Sequence, residues 1–239
     1  MPKILHREFE SISKRVYETL KRDLLQGRWP PHTQLKIRDI AAELDVGAMP
    51  VRVALKQLGE EGSLVLSENR SARVPHVSRR RFNEFFDISI ALEGLAVEKA
   101  AERLTDADLA ALRGKAKDMR ALLDKDDAPN YIQSYNSFLM QVYKIAGSSA
   151  LIDMIEKAWL QTAAESAILF RSKDIMAILQ DYQLRMLDAL MKRDGPGARH
   201  ALIAGLTHTQ RIINVLLDAA EDRQSLVVSD GGRSRRSVR

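Results

Sequence analysis

Across the first seventy-odd positions the apolar residues change period, and that change restricts the fold more than any other feature of the chain. Ile12, Val16, Leu20 and Leu24 recur every four residues, which is the spacing of an amphipathic helix. Gly27 and the turn Trp29-Pro30-Pro31 stop that helix, because proline cannot continue it. Ile37, Ile40, Ala41 and Leu44 predict a second short helix, and Val51, Ala54, Leu55 and Leu58 a third. Pro50 is tolerable in the first turn of the third, where its missing amide had no partner. The two meet across Asp45-Val46-Gly47-Ala48, a short turn containing glycine. Then the period shortens: Leu64-Val65-Leu66 and Ala72-Arg73-Val74 flank a polar turn and read as a hairpin. Three short helices closed by a hairpin describe a winged helix-turn-helix, here over residues 8–76.

Residues 77–81 form a linker, in which Ser78 is placed to cap the next helix. Residues 82–223 read as helix throughout. Thr105 and Asp108 have capping-box spacing, Asp126-Asp127-Ala128-Pro129 and Gly147-Ser148-Ser149 are breaks, and Ser172 and Asp194 precede further helices. This gives about six helices in an antiparallel bundle, the last ending near Asp222, so the fold class is mainly α. Residues 224–239 are rich in Ser, Gly and Arg and read as a disordered tail. That tail either adds non-specific affinity for DNA or is inert.

Charge divides the chain along the same lines. Residues 1–81 carry 16 Lys and Arg against 10 Asp and Glu, residues 82–223 carry 17 against 21, and residues 224–239 carry 4 against 1. A basic front on an acidic body suggests that one module meets a polyanion and the other does not. The chain has no cysteine, which excludes a disulfide framework, thiolate metal sites and a cysteine nucleophile. No run of about 18 apolar residues could span a membrane, and the amino end lacks a signal-peptide core. A cytoplasmic protein is expected. No nucleophile–base pair, phosphate loop or metal cluster points to an enzyme.

The stretch Leu35-Lys36-Ile37-Arg38-Asp39-Ile40-Ala41, then Val46, then Pro50-Val51-Arg52-Val53-Ala54-Leu55-Lys56-Gln57-Leu58-Gly59-Glu60-Glu61-Gly62 resembles the GntR family of bacterial transcription regulators, in its FadR-type branch. So does the wing, Asn69-Arg70-Ser71-Ala72-Arg73-Val74. The second half resembles that branch's all-helical FCD ligand domain, through Ala91-Leu92-Glu93-Gly94-Leu95-Ala96, Thr105-Asp106-Ala107-Asp108-Leu109, Ser137-Phe138 with Ala146-Gly147, and Leu187-Asp188-Ala189-Leu190 with Asp194 and Ala198. The resemblance implies a DNA-binding regulator, acting as a homodimer on a near-palindromic operator in double-stranded DNA and responding to a small metabolite.

Arg38 and Arg52 match DNA-contacting positions of the family, and Asn69 and Arg70 match wing contacts. On a helical wheel Arg52, Val53, Lys56 and Gln57 face outward, and Lys56 and Arg73 are added here as phosphate contacts. Where the family usually has Ser-Arg-Thr, this chain has Gly47, Ala48 and Met49. Ala48 cannot supply the bidentate arginine, so the operator is expected to differ from the family's usual one, with Met49 offering apolar contact to thymine methyls. Ser71 stands in place of the wing glycine.

The resemblance also implies a divalent metal held by one Asp and three His. Those positions are Tyr135, Leu139, Gln183 and Gly205, none of which is a normal strong ligand. His208, one turn beyond Gly205, is the one shifted alternative, and no metal or cofactor is expected. An arginine common on the domain's first helix is replaced by Ser89. Two outcomes follow. Either a cavity persists and binds a neutral or less acidic molecule through Tyr135 and Gln183, beside Tyr182, Arg171 and Arg185, or it has filled and Leu139 is core. In the second case the protein is a constitutive DNA-binding regulator whose bundle only dimerises.

Overall fold

The computed structural model describes the backbone of residues 2–67 and 71–233 and the side chains of residues 10–67 and 71–219. The chain begins with α1 (Pro2–Leu25), β1 (Gln34–Lys36), α2 (Ile37–Glu43), α3 (Ala48–Glu60), β2 (Val65–Ser67) and β3 (Ser71–Arg73). It continues with α4 (Arg79–Arg103), α5 (Asp106–Asp124), α6 (Ala128–Ile145) and α7 (Ser149–Ser166). A 3-10 turn (Ala167–Arg171), α8 (Lys173–Met191) and α9 (Gly195–Arg233) complete it. This is a winged helix-turn-helix followed by an all-α bundle.

The first part has a core of its own. Val16, Leu20 and Leu24 of α1 pack with Ile37, Ile40, Val51, Ala54, Leu55 and Leu58, the apolar positions read from the helical spacing. The wing is a three-stranded antiparallel sheet in the order β1-β3-β2, with Leu35 opposite Ala72 and Leu66 opposite Ala72 on the other side. Sequence spacing gives β2 and β3 but not β1. β1 has no hairpin partner beside it in the chain and pairs with β3 from thirty-odd residues away. The turn between α2 and α3 also differs in detail. Asp45, not Gly47, has the left-handed conformation, at φ 50°. Val46 N–H bonds to Ala41 O at 3.0 Å, so α2 ends in a Schellman motif with aspartate in the position usually held by glycine.

In the bundle the caps fall where the sequence puts them. Ser78 accepts from Arg81 N–H, Thr105 and Asp108 form a reciprocal capping box, and Ser172 accepts from Ile175 N–H. A second core, from Phe82 to Leu217, is built mainly from the inward faces of α4 to α9. α9 is a correction to the expected ending near Asp222: it runs to Arg233, because Gln224 to Val228 carry no proline or glycine and the backbone ladder continues. Residues 234–239 of the proposed tail lie outside the described residues.

The two cores meet along α7 and the 3-10 turn. Leu160 of α7 belongs to the first core. Gln161 Nε2 donates to Glu61 O at 2.7 Å, and Lys21 pairs with Glu156. Gly27 caps α1 at φ +67°, and a Cβ there would lie 2.0 Å from Ala167 Cβ. Gly27→Ala combines a left-handed alanine with overpacking, a loss of about 2–4 kcal/mol. The expected result is a clearly lower melting temperature by circular dichroism. Gly114→Ala, in α5 with no atom within 4 Å of the added Cβ, should instead raise stability by about 0.5–1 kcal/mol.

Candidate nucleic-acid interface and effector cavity

α3 buries Val51, Ala54, Leu55 and Leu58 and leaves the opposite face free. Met49, Arg52, Val53 and Lys56 are all exposed there, at i, i+3, i+4 and i+7, so they form one stripe. Met49 is 56% exposed and Val53 40%, apolar groups left open to water on the same stripe as two cations. Lys56 holds a loose ion pair with Glu60 at 3.4 Å on the next turn. Arg38 stands in the first turn of α2 with its side chain 85% exposed, touching only Asp39 at 3.1 Å. Arg73 of β3 is exposed beside a buried Ala72. Asn69 and Arg70 lie outside the described residues. Lys36, exposed on β1, is a further cation next to Arg38; with β1 invisible in the sequence, nothing had placed it on the sheet.

The second site lies in the bundle. Tyr135, Leu139, Gln183 and Gly205, three of them from different helices, do converge, with Tyr182, on one void. That void has a volume of about 10 Å³, room for about one water. It has closed because the ring of Tyr182 occupies the space beside Gly205, where a Cβ would lie 2.9 Å from Tyr182 Cβ. Leu139 is buried at 2% exposure. Both amide atoms of Gln183 are buried without a partner. His208 Nδ1 lies 3.2 Å from Tyr182 OH. These residues do not fit a tightly held divalent ion, since leucine and glycine offer no ligating atom and Tyr182 takes the room. Among the described residues no group of three or more Asp, Glu or His is arranged to hold one.

Beside the closed void a cavity of about 80 Å³ remains. Ser89, Tyr135 and Leu139 line it, but Gln183 does not. Arg171 and Arg185 do not line it either. Arg185 is 66% exposed and paired with Asp181 at 2.7 Å, so neither supplies the charge for an acid. The residue that dominates the cavity is Glu93, which sequence reading quoted only as part of a motif. Its carboxylate is 1% exposed. It accepts from Ser89 Oγ, from Tyr143 OH at 2.5 Å and from Trp159 Nε1 at 2.9 Å. Burial pushes its pKa above the ordinary glutamate value, and the three donors oppose that shift without cancelling it. Tyr143 and Tyr135 are pushed up as well, mainly by burial and further by Glu93. The signal in the sequence was the pair Ser89 and Glu93, one helical turn apart on a face that packs inward, with serine and not a cation four residues before the carboxylate.

Leu25, at the end of α1, also lines the cavity, and Asn136 Nδ2 donates to Leu25 O at 3.1 Å. The cavity therefore reaches the seam with the winged helix.

A winged helix-turn-helix carrying an exposed cationic stripe, joined to a helical bundle with an internal cavity, is the architecture of a DNA-binding transcription regulator. Residues 12–74 match the model of bacterial regulatory proteins of the gntR family, and residues 84–208 match the FCD domain. The chain belongs to the GntR family, in its FCD-bearing branch. It is 29% identical over 195 residues to the HTH-type transcriptional regulator McbR of Escherichia coli K12, covering 80% of this chain and 88% of that one. It is 22% identical over 196 residues to the HTH-type transcriptional repressor RspR of the same organism, covering 81% and 85%. The solved structure of E. coli McbR/YncC superposes with a TM-score of 0.81 at 26% identity, over 84% of this chain and 96% of that one. The protein is a regulator and not an enzyme. No helix among the described residues is long and apolar enough to cross a membrane.

Because the folded pKa of Glu93 is raised, the folded state holds that proton more tightly than the unfolded chain does. Its contribution to stability is complete below the ordinary value of 4.5 and is lost as pH rises through the raised value. Glu93→Gln removes this titration. Melting temperatures measured from pH 4.5 upward to about pH 8 should show the variant gaining on the parent as pH rises.

Proposed function

We propose that the protein is a ligand-responsive repressor that binds a near-palindromic operator as a homodimer, without a metal. The observation that carries the DNA reading is the stripe Met49, Arg52, Val53, Lys56 on the open face of α3. A helix fits the major groove, a guanidinium there can bond two guanine acceptors, and apolar side chains can meet thymine methyls. Arg38, Arg73 and the wing residues Asn69 and Arg70 position the head through the phosphates and wing. With Ala48 in place of the family's arginine, the preferred operator departs from the usual one. Such a protein works where the chromosome is, in the bacterial cytoplasm.

Dimerisation is supported by apolar residues left open on the bundle. Ile88 and Leu95 of α4 are exposed two turns apart on one face, and Val215 of the adjoining α9 is 68% exposed. Two-fold symmetry in the protein implies two-fold symmetry in the site.

The response to ligand is supported by the position of the cavity. Tyr135 lines it from α6, while Trp159, Thr162 and Ser166 of α7 form another wall, and Ala167 joins that wall to the turn under Gly27. A ligand that favours one setting of α7 over another shifts the orientation of the heads, and only by its difference in affinity for the two settings. The opposing reading, a bundle that dimerises without sensing anything, is what a null response to every bound compound would establish.

Selection from random duplexes, followed by mobility shift on the enriched sequence, tests the DNA reading. An inverted repeat unlike the usual family operator is expected; recovery of that usual operator at full strength would contradict it. Arg52→Ala should cost about 1–3 kcal/mol and relax base preference, whereas Lys56→Ala should weaken all sequences alike and lower the salt slope by about one. Leu95→Glu should convert a dimer to a monomer by light scattering.

A further inference from the structure

The charge of the cavity points to the chemistry of its ligand, an inference that rests on the ligand-responsive reading above. Among the described residues that line the cavity, Glu93 is the sole acidic or basic side chain; no Lys, Arg or His is among them. Taking a carboxylate out of water is costly, and hydrogen bonds alone offset only part of that cost. Oε1 accepts from both Ser89 and Trp159, but Oε2 accepts from Tyr143 alone and keeps acceptor capacity. Trp159 touches the carboxylate, and the rings of Tyr135, Phe86 and Phe170 line the same cavity. Aromatic faces and one buried anion make a poor site for an acid and a favourable one for an ammonium group, which gains from both. An arginine at position 89 would have filled this role from within the same helix, four residues before Glu93. Serine there leaves it to be filled from outside.

We propose that the cavity binds a small organic cation, a primary alkylammonium whose nitrogen sits on Glu93 and whose carbon chain lies against Trp159, Tyr135 and Phe170. The ligand brings the positive charge that the protein omits. In a family fold whose implied ligand centre is a cation held by the protein, this chain has the opposite arrangement.

Three probes of similar size separate the possibilities: isobutylammonium, isobutanol and isobutyrate, titrated calorimetrically into the full chain. The cation should bind at least about tenfold tighter than the alcohol, a difference of about 1.4 kcal/mol, and the acid weakest. Glu93→Gln should bring cation and alcohol to similar affinity, chiefly by weakening the cation. Ser89→Arg, which supplies an internal guanidinium, should abolish the cation's advantage.

A measurement on the unmodified protein covers the case in which these variants do not fold. Glu93 is touched by Ser89 on its own helix, Tyr143 on α6 and Trp159 on α7, and the other polar groups lining the cavity are Tyr135 and Asn136 on α6, Thr162 and Ser166 on α7, and Thr209 on α9. Both tyrosines titrate above the range of the experiment, so Glu93 is the group that changes charge. Affinity for isobutylammonium should rise with pH and that for isobutanol should stay flat. Equal or tighter binding of the acid or the alcohol, no binding of any probe, or a cation preference that survives Glu93→Gln would each overturn the proposal. Mobility shift with the selected operator runs in parallel. A cation that binds without altering DNA affinity removes the ligand-responsive reading and leaves this one standing. A different class of compound that releases the DNA while the cation does not bind does the reverse.

Discussion

α7 is shared by two cores, and the arrangement of the molecule depends on that sharing. Trp159, Thr162, Ala163 and Ser166 turn toward the cavity, at the i, i+3, i+4, i+7 spacing of one helix face. Glu156, Leu160 and Ala164, on the adjoining face, meet the winged helix. Glu165 Oε1 accepts from Val77 N–H at 3.0 Å, so the same helix also holds the linker. That carboxyl is pushed up by burial, with His76 Nδ1 3.8 Å away at the rim. Rotating or sliding α7 cannot leave the head in place, because packed interfaces switch between discrete arrangements and do not deform smoothly.

The cavity and the closed void next to it differ in what fills them. At the void, the ring of Tyr182 packs against Gly205, and a glycine is what permits the ring to come so close. At the cavity, Ser89 is a small side chain that leaves room, and the donors Ser89, Tyr143 and Trp159 gather on Glu93 without supplying a charge to balance it. The void is closed by packing, whereas the cavity keeps a buried acidic group beside open space.

Much of the fold was legible in the sequence because it rests on local chemistry. Helical spacing of Val51, Ala54, Leu55 and Leu58 gives α3 and its open face, and Ser78, Thr105 and Ser172 mark helix starts through bonds spanning three residues. Features that depend on distant partners were not legible. β1 needs β3, thirty-odd residues away, to be a strand at all. Asp45, Asp126 and Arg193 take left-handed conformations where glycine would be the expected signal. For the site, the convergence of Tyr135, Leu139, Gln183 and Gly205 followed from the resemblance, but which of them face open space did not. Glu93 was visible as a letter, while its burial and its partners on α6 and α7 are properties of the assembled bundle.

The location of Leu25 connects these points. It is the last residue of α1, whose Val16, Leu20 and Leu24 form the centre of the head's core, and it is also part of the cavity wall. Two residues later Gly27 lies against Ala167, another wall residue. The cavity wall therefore includes the end of the helix on which α3 is packed. α1 packs on both α3 and α7, so these helices form a continuous packed path from the cavity wall to the stripe. In the dimer proposed above, a turn of the heads would change their spacing, and a fixed half-site separation would convert that into lost affinity.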